Sequence, residues 1–259
     1  MSSVVSIKQL LESGIHFGHA ARKCHYRMKP FLFSLNDSGI PIVRNKIHII
    51  DLKKTIEHIE FAYKKMIEII SSNGKILFLG TKKQIQEIIK QEAQRSKQYY
   101  VVHRWLGGTF TNFQTIFRRI NFLKDLYNQE KKGLWENLTK KEVSKLVKKR
   151  EKLEKFLGGI KEMNQLPQAI FVIDVKKDIL AIKEARKLNI KIFGIIDSDC
   201  DPDLVDYVIP ANNDAIKGVK LIANIIANAA IEAENKKSKD KFDEKNNETK
   251  TENNKKINN

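Results

Sequence analysis

Apolar residues along this chain switch between two periods, and each switch predicts an element. From Leu52 to Ser71, Ile56, Ile59, Tyr63, Met66, Ile67 and Ile70 recur at spacings of three and four, which predicts a helix with one buried face. Asn73-Gly74 ends it. Short uninterrupted apolar runs follow at Ile76–Leu79, Tyr100–Val102, Ala169–Ile173, Ile192–Ile196 and Tyr207–Ile209. Runs of that length without polar alternation suit strands buried on both faces. Helical patterns separate them at 83–96, 177–188 and 213–232. Strand and helix in alternation predict a parallel sheet covered on both sides, an α/β flavodoxin/Rossmann-like fold. Ahead of it, Ile7, Leu10 and Leu11 predict a short amphipathic helix over 7–13. Phe31-Leu32-Phe33 and Ile47-His48-Ile49-Ile50 predict a strand pair, joined by a loop with Asp37-Ser38-Gly39 and Pro41.

Between the second and third strands the pattern becomes a heptad. Phe113, Ile116, Ile120, Leu123 and Tyr127 form one seam. Lys131-Lys132-Gly133 turns the chain, and Thr139-Lys-Lys-Glu142 spells a capping box. Val143, Leu146, Leu153 and Leu157 form a second seam, interrupted by Arg150, and Gly158 caps it. Residues 111–157 therefore read as a helical, coiled-coil hairpin inserted into a discontinuous core of 1–110 and 158–233. From Glu234 to Asn259 the only large apolar residues are Phe242 and Ile257. That composition predicts a disordered charged tail.

Charge changes the picture. The 259 residues carry a net charge of +17, and a polyanion partner is expected. Residues 1–110 hold 18 basic against 8 acidic groups, and 111–157 hold 13 against 6; 158–233 hold 9 against 11. RNA is thus expected on the N-terminal part and the hairpin. Lysine outnumbers arginine 39 to 9, as a codon bias toward A and T would produce, but such a bias does not create an excess over acids. No uncharged run reaches the ~18 residues of a membrane span. The first residues lack a basic-then-apolar secretory pattern. Cys24 and Cys200 have no nearby partner and read as reduced thiols.

Candidate chemistry gathers at four places. Arg104-Trp-Leu-Gly-Gly-Thr-Phe-Thr-Asn-Phe-Gln-Thr-Ile116 pairs two adjacent glycines with three aromatics. Trp105, Gly107 and Gly108 are read as a pivot, a tight bend that approaches something closely before a helix starts. Arg22, Lys23, Arg27 and Lys29 interleave with His25 and Tyr26, a mixture that suits phosphate contact plus stacking on unpaired bases, or an ordinary exposed loop. Gly80-Thr81-Lys82-Lys83 sits where a strand gives way to a helix. Lys82 and Lys83 there could hold a phosphate, or be a solvated helix start. Arg104, Asn112, Arg118 and Arg119, at the bend and on the first arm, complete the RNA-contact set. His19, Asp197 and Asp214 are the candidate ligands for one divalent ion, although Asp201-Pro202 beside them also reads as plain turn chemistry. No cofactor is otherwise required. Gly-x-Gly is absent from the chain, so no dinucleotide fingerprint is present, and no Gly-x-x-x-x-Gly-Lys-[Ser/Thr] run supplies a P-loop either. A Ser-His-Asp elbow and a His-Glu-x-x-His pattern are missing too, so catalysis is not expected. The alternative reading is a Rossmann-like small-molecule enzyme with a basic surface.

Several motifs in one order resemble the bacterial-type small-subunit ribosomal protein family S-two. They begin with Gly14-Ile-His-Phe-Gly-His19, Met28-Lys-Pro-Phe31 and Ile47-His-Ile-Ile-Asp-Leu52. Gly80-Thr-Lys-Lys83 and the Arg104 run follow. Leu157-Gly-Gly-Ile160, Leu166-Pro167, Phe171-Val-Ile-Asp174, Cys200-Asp-Pro-Asp203 and Asp206-Tyr-Val-Ile-Pro210 complete the series. The resemblance spans about 5–230. Cys24-His25-Tyr26 departs from the family's usual Trp-Asn-Pro, and Lys46 stands where glycine is common. The resemblance implies a structural role in the small ribosomal subunit, bound to its rRNA near the head–body junction. It also implies help in docking the large mRNA-binding protein built of OB-fold repeats, alongside neighbouring small-subunit proteins and without a membrane. The implied compartment is the bacterial cytoplasm, on the ribosome, or an organellar ribosome.

Overall fold

The computed structural model describes residues 5–34, 41–136 and 138–257, and side chains as far as Ser238. Helix α1 (Ile7–Glu12) precedes β1 (Phe17–Ala20), β2 (Val43–Arg44) and β3 (Ile47–Ile49). Then come α2 (Leu52–Ser71), β4 (Ile76–Leu79), α3 (Gln86–Arg95) and β5 (Tyr99–Val101). The middle holds α4 (Phe113–Lys131) and α5 (Lys140–Leu157). The remainder is β6 (Ala169–Val172), α6 (Ile179–Lys187), β7 (Lys191–Ile196), β8 (Tyr207–Pro210) and α7 (Ile216–Ile257).

The apolar runs of the sequence form a five-stranded sheet in the order β5-β4-β6-β7-β8, parallel throughout. This is the doubly wound order of flavodoxin-like sheets. Side chains alternate between two cores, as the pleat requires. Ile76, Phe78, Phe171, Phe193 and Ile195 face Ile59 and Met66 of α2, Ile89 of α3 and Val219, Ile222 and Ile226 of α7. Leu77, Leu79, Ile170, Val172 and Ile192 face the other side, with Ile116, Ile120 and Leu123 of α4 and Ala181, Ile182 and Ala185 of α6. Full burial of each large side chain contributes about 1.5–3 kcal/mol.

Three expectations change. The strand partners of β3 are β1 and β2, not Phe31–Phe33. Pro30 lies inside a 3-10 turn over Tyr26–Phe31, so the expected pair is reduced to one antiparallel bridge, Leu32 to Ile50, closed by hydrogen bonds from Phe33 N–H to Ile49 O and from Asp51 N–H to Phe31 O. The turn Arg44-Asn45-Lys46-Ile47 closes this hairpin with φ of 51° at Asn45 and 65° at Lys46, the primed geometry that suits strand twist. Asp37, Ser38 and Gly39 lie outside the described residues.

The first arm of the hairpin is also not free-standing. Its buried residues Ile116, Ile120 and Leu123 belong to the second core, which Leu153 and Leu157 of α5 join. The arms do pack together, and Arg150 pairs with Glu130 across them. Thr139 and Glu142 make the predicted reciprocal cap. Gly158 ends α5 with φ −55°, right-handed rather than left-handed.

The third change is at the C-terminus, where α7 runs to Ile257 and does not give way to an unstructured tail at Glu234. Glu234 pairs with Lys75 at 2.8 Å and accepts from Gln98, and Lys237 donates to Asn73. These ties carry the helical register past Ala233, and no Gly or Pro follows to break it.

Candidate nucleic-acid interface

The glycine-rich bend has a physical centre that the sequence did not reveal. Glu184, on α6 and 6% exposed, points its carboxylate into the bend. It accepts hydrogen bonds from the backbone N–H of Gly108 (2.8 Å), Phe110 (2.9 Å) and Thr111 (3.2 Å), and from the Trp105 indole (3.1 Å). The Thr111 hydroxyl adds another. Burial alone would raise this carboxyl's pKa, but the donors outweigh it and hold Glu184 below the usual value. Gly108 has φ +86°, which L side chains rarely adopt, and an added Cβ would lie 3.2 Å from Asn112 Cβ. Trp105 packs edge-on against Phe110 at 4.8 Å. The pivot expected at Trp105, Gly107 and Gly108 is thus a loop tied to α6, from which α4 departs. Sequence reading missed Glu184 because one acid on an amphipathic helix resembles any solvated one.

The crevice at the carboxyl ends of the strands is filled by the chain's own charges. Lys82 lies 3.0 Å from Asp174 and 2.6 Å from Asp214, and donates to Asn213. Its pKa is raised; burial opposes the rise and the two carboxylates outweigh it. An ammonium so engaged is not free for a phosphate. Thr81 donates to buried Asp178, whose pKa burial pushes up to about 6.

The proposed ligands His19, Asp197 and Asp214 do meet, and Asp199 joins them. His19 Nδ1 is 3.1 Å from Asp197 and 4.0 Å from Asp199, and Nε2 is 3.6 Å from Asp214. One donor each from His19, Asp197 and Asp199 falls within 4.8 Å of the others, so these three could hold a cation. The same geometry supports a protonated imidazole instead. The hydrogen bond to Asp197 raises the His19 pKa, burial opposes it, and the nearby carboxylates add to the rise. Asp197 is also occupied by Ser198 and Asn213. The two occupants exclude each other, because a metal needs the imidazole deprotonated. Gly18 lets β1 reach this loop: a Cβ there would sit 2.7 Å from the Ser198 hydroxyl.

The remaining predicted cations face outward. Arg22, Lys23, Lys29, Lys83, Arg104, Arg118 and Arg119 are exposed, as are Asn112 and the ring of Tyr26. Arg27 is exposed but tied to Asp201 (3.1 Å) and Asp203 (2.7 Å). The two groups do not form one cluster in sequence. One lies between β1 and β2, the other at the bend and on α4.

A doubly wound sheet whose ligand crevice is closed by internal ion pairs, and whose exposed cations lie on loops and one helix, defines a basic α/β scaffold protein. The family model described as Ribosomal protein S2 matches residues 10–233, and the chain belongs to that family. It is 63% identical over 230 residues to "Small ribosomal subunit protein uS2" of Onion yellows phytoplasma (strain OY-M), covering 89% of this chain and 82% of that protein. It is 62% identical over the same length to the protein of that name from Aster yellows witches'-broom phytoplasma (strain AYWB), with the same coverage. The chain is a ribosomal protein of the small subunit and not an enzyme, so the small-molecule alternative is set aside.

Proposed function

We propose that this chain binds small-subunit rRNA through two exposed cationic groups and helps seat the OB-repeat mRNA-binding protein on the subunit. Its place is the ribosome of a bacterial cytoplasm. The observation that carries the RNA reading is the placement of exposed cations that have no ion-pair partner among the described residues. Arg22, Lys23 and Lys29 flank exposed Tyr26, and Arg104, Arg118 and Arg119 follow from the bend onto α4. Phosphate neutralisation by these groups positions the protein, and flat side chains such as Tyr26 and His25 meet unpaired bases. No turnover is involved; the work is charge neutralisation and shape.

Docking of a protein neighbour is supported by a different surface. Ile7, Leu11, Phe17 and Phe33 are each at least 40% exposed and line a groove of about 710 Å³ between α1 and the small sheet. Contiguous exposed apolar surface of this kind marks protein interaction sites. The RNA reading is tested by binding to small-subunit rRNA across a salt series. Affinity is expected to fall by orders of magnitude between ~50 and ~200 mM salt, and the Arg22→Glu/Lys23→Glu variant should show a shallower slope. A salt-independent affinity would overturn it.

A further inference from the structure

A second basic surface lies on the far edge of the large sheet. Strand β5 is a terminal strand, and a cleft of about 760 Å³ opens between it, the end of α3 and the base of α5. Three elements send side chains into it: the cations Lys90 from α3 and Lys155 from α5, and the imidazole of His103 just after β5. Among the described residues, neither lysine has a carboxylate within ion-pair distance, whereas Arg150 is held by Glu130 and Lys161 lies 3.6 Å from Glu154. The lysines feel His103: burial lowers its pKa most, and Lys155 and Lys90 lower it further. Glu151, Glu154 and Glu162 line the same cleft, with Glu154 turned to Lys161 and Tyr127, so the charge left unpaired among the described residues is that of the two lysines. Beside it stand the half-buried rings of Tyr100, Tyr127 and Phe156, with His103 edge-on to Phe156 at 6.4 Å.

We infer that this cleft holds an unpaired nucleotide of single-stranded RNA, its phosphate facing Lys90 and Lys155 and its base lying along the rings of Tyr100, Tyr127 and Phe156. Two unpaired lysines beside aromatic walls fit one phosphate and one base. An acidic polypeptide would instead call for cations spread along a backbone-pairing groove. A duplex cannot enter, because its bases are stacked and its major groove is too deep and narrow for side chains. This inference rests on the RNA-binding reading above but uses none of its residues.

The test uses the full chain with a labelled oligouridylate carrying 4-thiouridine, and a duplex RNA of equal length. Photo-crosslinks are expected on peptides containing Tyr100, Tyr127 or Phe156. The Lys90→Ala/Lys155→Ala variant, which removes only side chains at the cleft's surface, should keep the wild-type melting temperature and lose these crosslinks. It should also bind the single strand about tenfold more weakly while binding the duplex nearly as before. Crosslinks confined to other peptides would overturn the inference and leave the RNA reading intact. So would equal weakening of both ligands, or displacement of the oligonucleotide from the cleft by polyglutamate at lower concentration. Failure of the wild-type chain to bind either RNA would overturn both.

Discussion

At the scale of single residues, the bend depends on one carboxylate and one backbone conformation. Replacing Glu184 with Gln keeps the shape but puts an NH2 where N–H donors converge. Hydrogen bonds to a charged acceptor contribute about 1.5–3 kcal/mol, and a loss of that order is expected in urea unfolding. The pH dependence has a definite sign. Glu184 titrates lower in the folded protein than its reference value of 4.5, so its contribution is present above pH 4.5 and is lost as pH falls through the folded value. The wild type should therefore lose more stability on acidification below that point than the Gln variant does. Gly108→Val forces a β-branched residue to φ +86° and should cost about 1–3 kcal/mol, with weaker incorporation into small subunits because α4 leaves from that point. Lys132→Ala, at the end of α4, is the control and should incorporate normally. Lys46 shows the converse. Holding it left-handed costs about 1–2 kcal/mol, and glycine's added chain entropy costs about 0.4–1 kcal/mol. Lys46→Gly should thus raise stability by roughly 0.5 kcal/mol, and an unchanged or lowered unfolding midpoint would contradict the turn assignment.

At the scale of elements, α7 and the α4–α5 pair depart most from their sequence patterns. Removing the chain after Ala233 cuts no buried side chain among the described residues to Ser238, yet it deletes the Lys75–Glu234 and Asn73–Lys237 ties. Partly exposed pairs contribute about 0–1 kcal/mol each. Truncation after Ala233 should therefore lower the melting temperature by a few degrees at most, and truncation after Ser238 by less. Equal melting of the two would mean that the ties add nothing. The α4–α5 pair is asymmetric. Helix α4 is anchored through Ile116, Ile120 and Leu123, whereas α5 has only Leu157 buried, at its base. Hydrogen exchange should accordingly be fastest in the first turns of α5. Thr139→Ala, which removes half of the cap there, should accelerate it by the equivalent of about 1 kcal/mol.

At the scale of the molecule, charge is sorted by structural role. Four of the 11 acids in residues 158–233, Asp174, Asp197, Asp199 and Asp214, enclose His19 and Lys82 at the strand-end crevice. That site has the position of a ligand pocket in a doubly wound sheet, and the chain's own charges pair within it. The excess of cations stays outside, on the loop before β2, the bend, α4 and the β5 edge. A ribosomal protein needs this division, because a closed interior leaves the surface as its only contact with RNA. The steep salt dependence expected of rRNA binding belongs to this scale, as it follows from many cations together rather than from any one.

What the sequence determined by itself were the elements with strong local signals. Apolar runs such as Ile76–Leu79 and Ala169–Ile173 can only be buried strands. The three-and-four spacing of α2 and the Thr139–Glu142 cap are local too, and the order of motifs carried the family. Tertiary structure decided everything that depends on partners distant in the chain. It paired β3 with Phe17–Ala20, turned the seam of α4 onto the core, and extended α7 past Glu234. Glu184, 76 residues from Gly108, became the centre of the bend, and Lys82 was withdrawn from the surface by Asp214, 132 residues away. The physical reason is the same in each case. Period and capping are read within a turn or two of the chain, whereas the partner of a charge or an exposed apolar face is set by packing between segments that no local pattern connects.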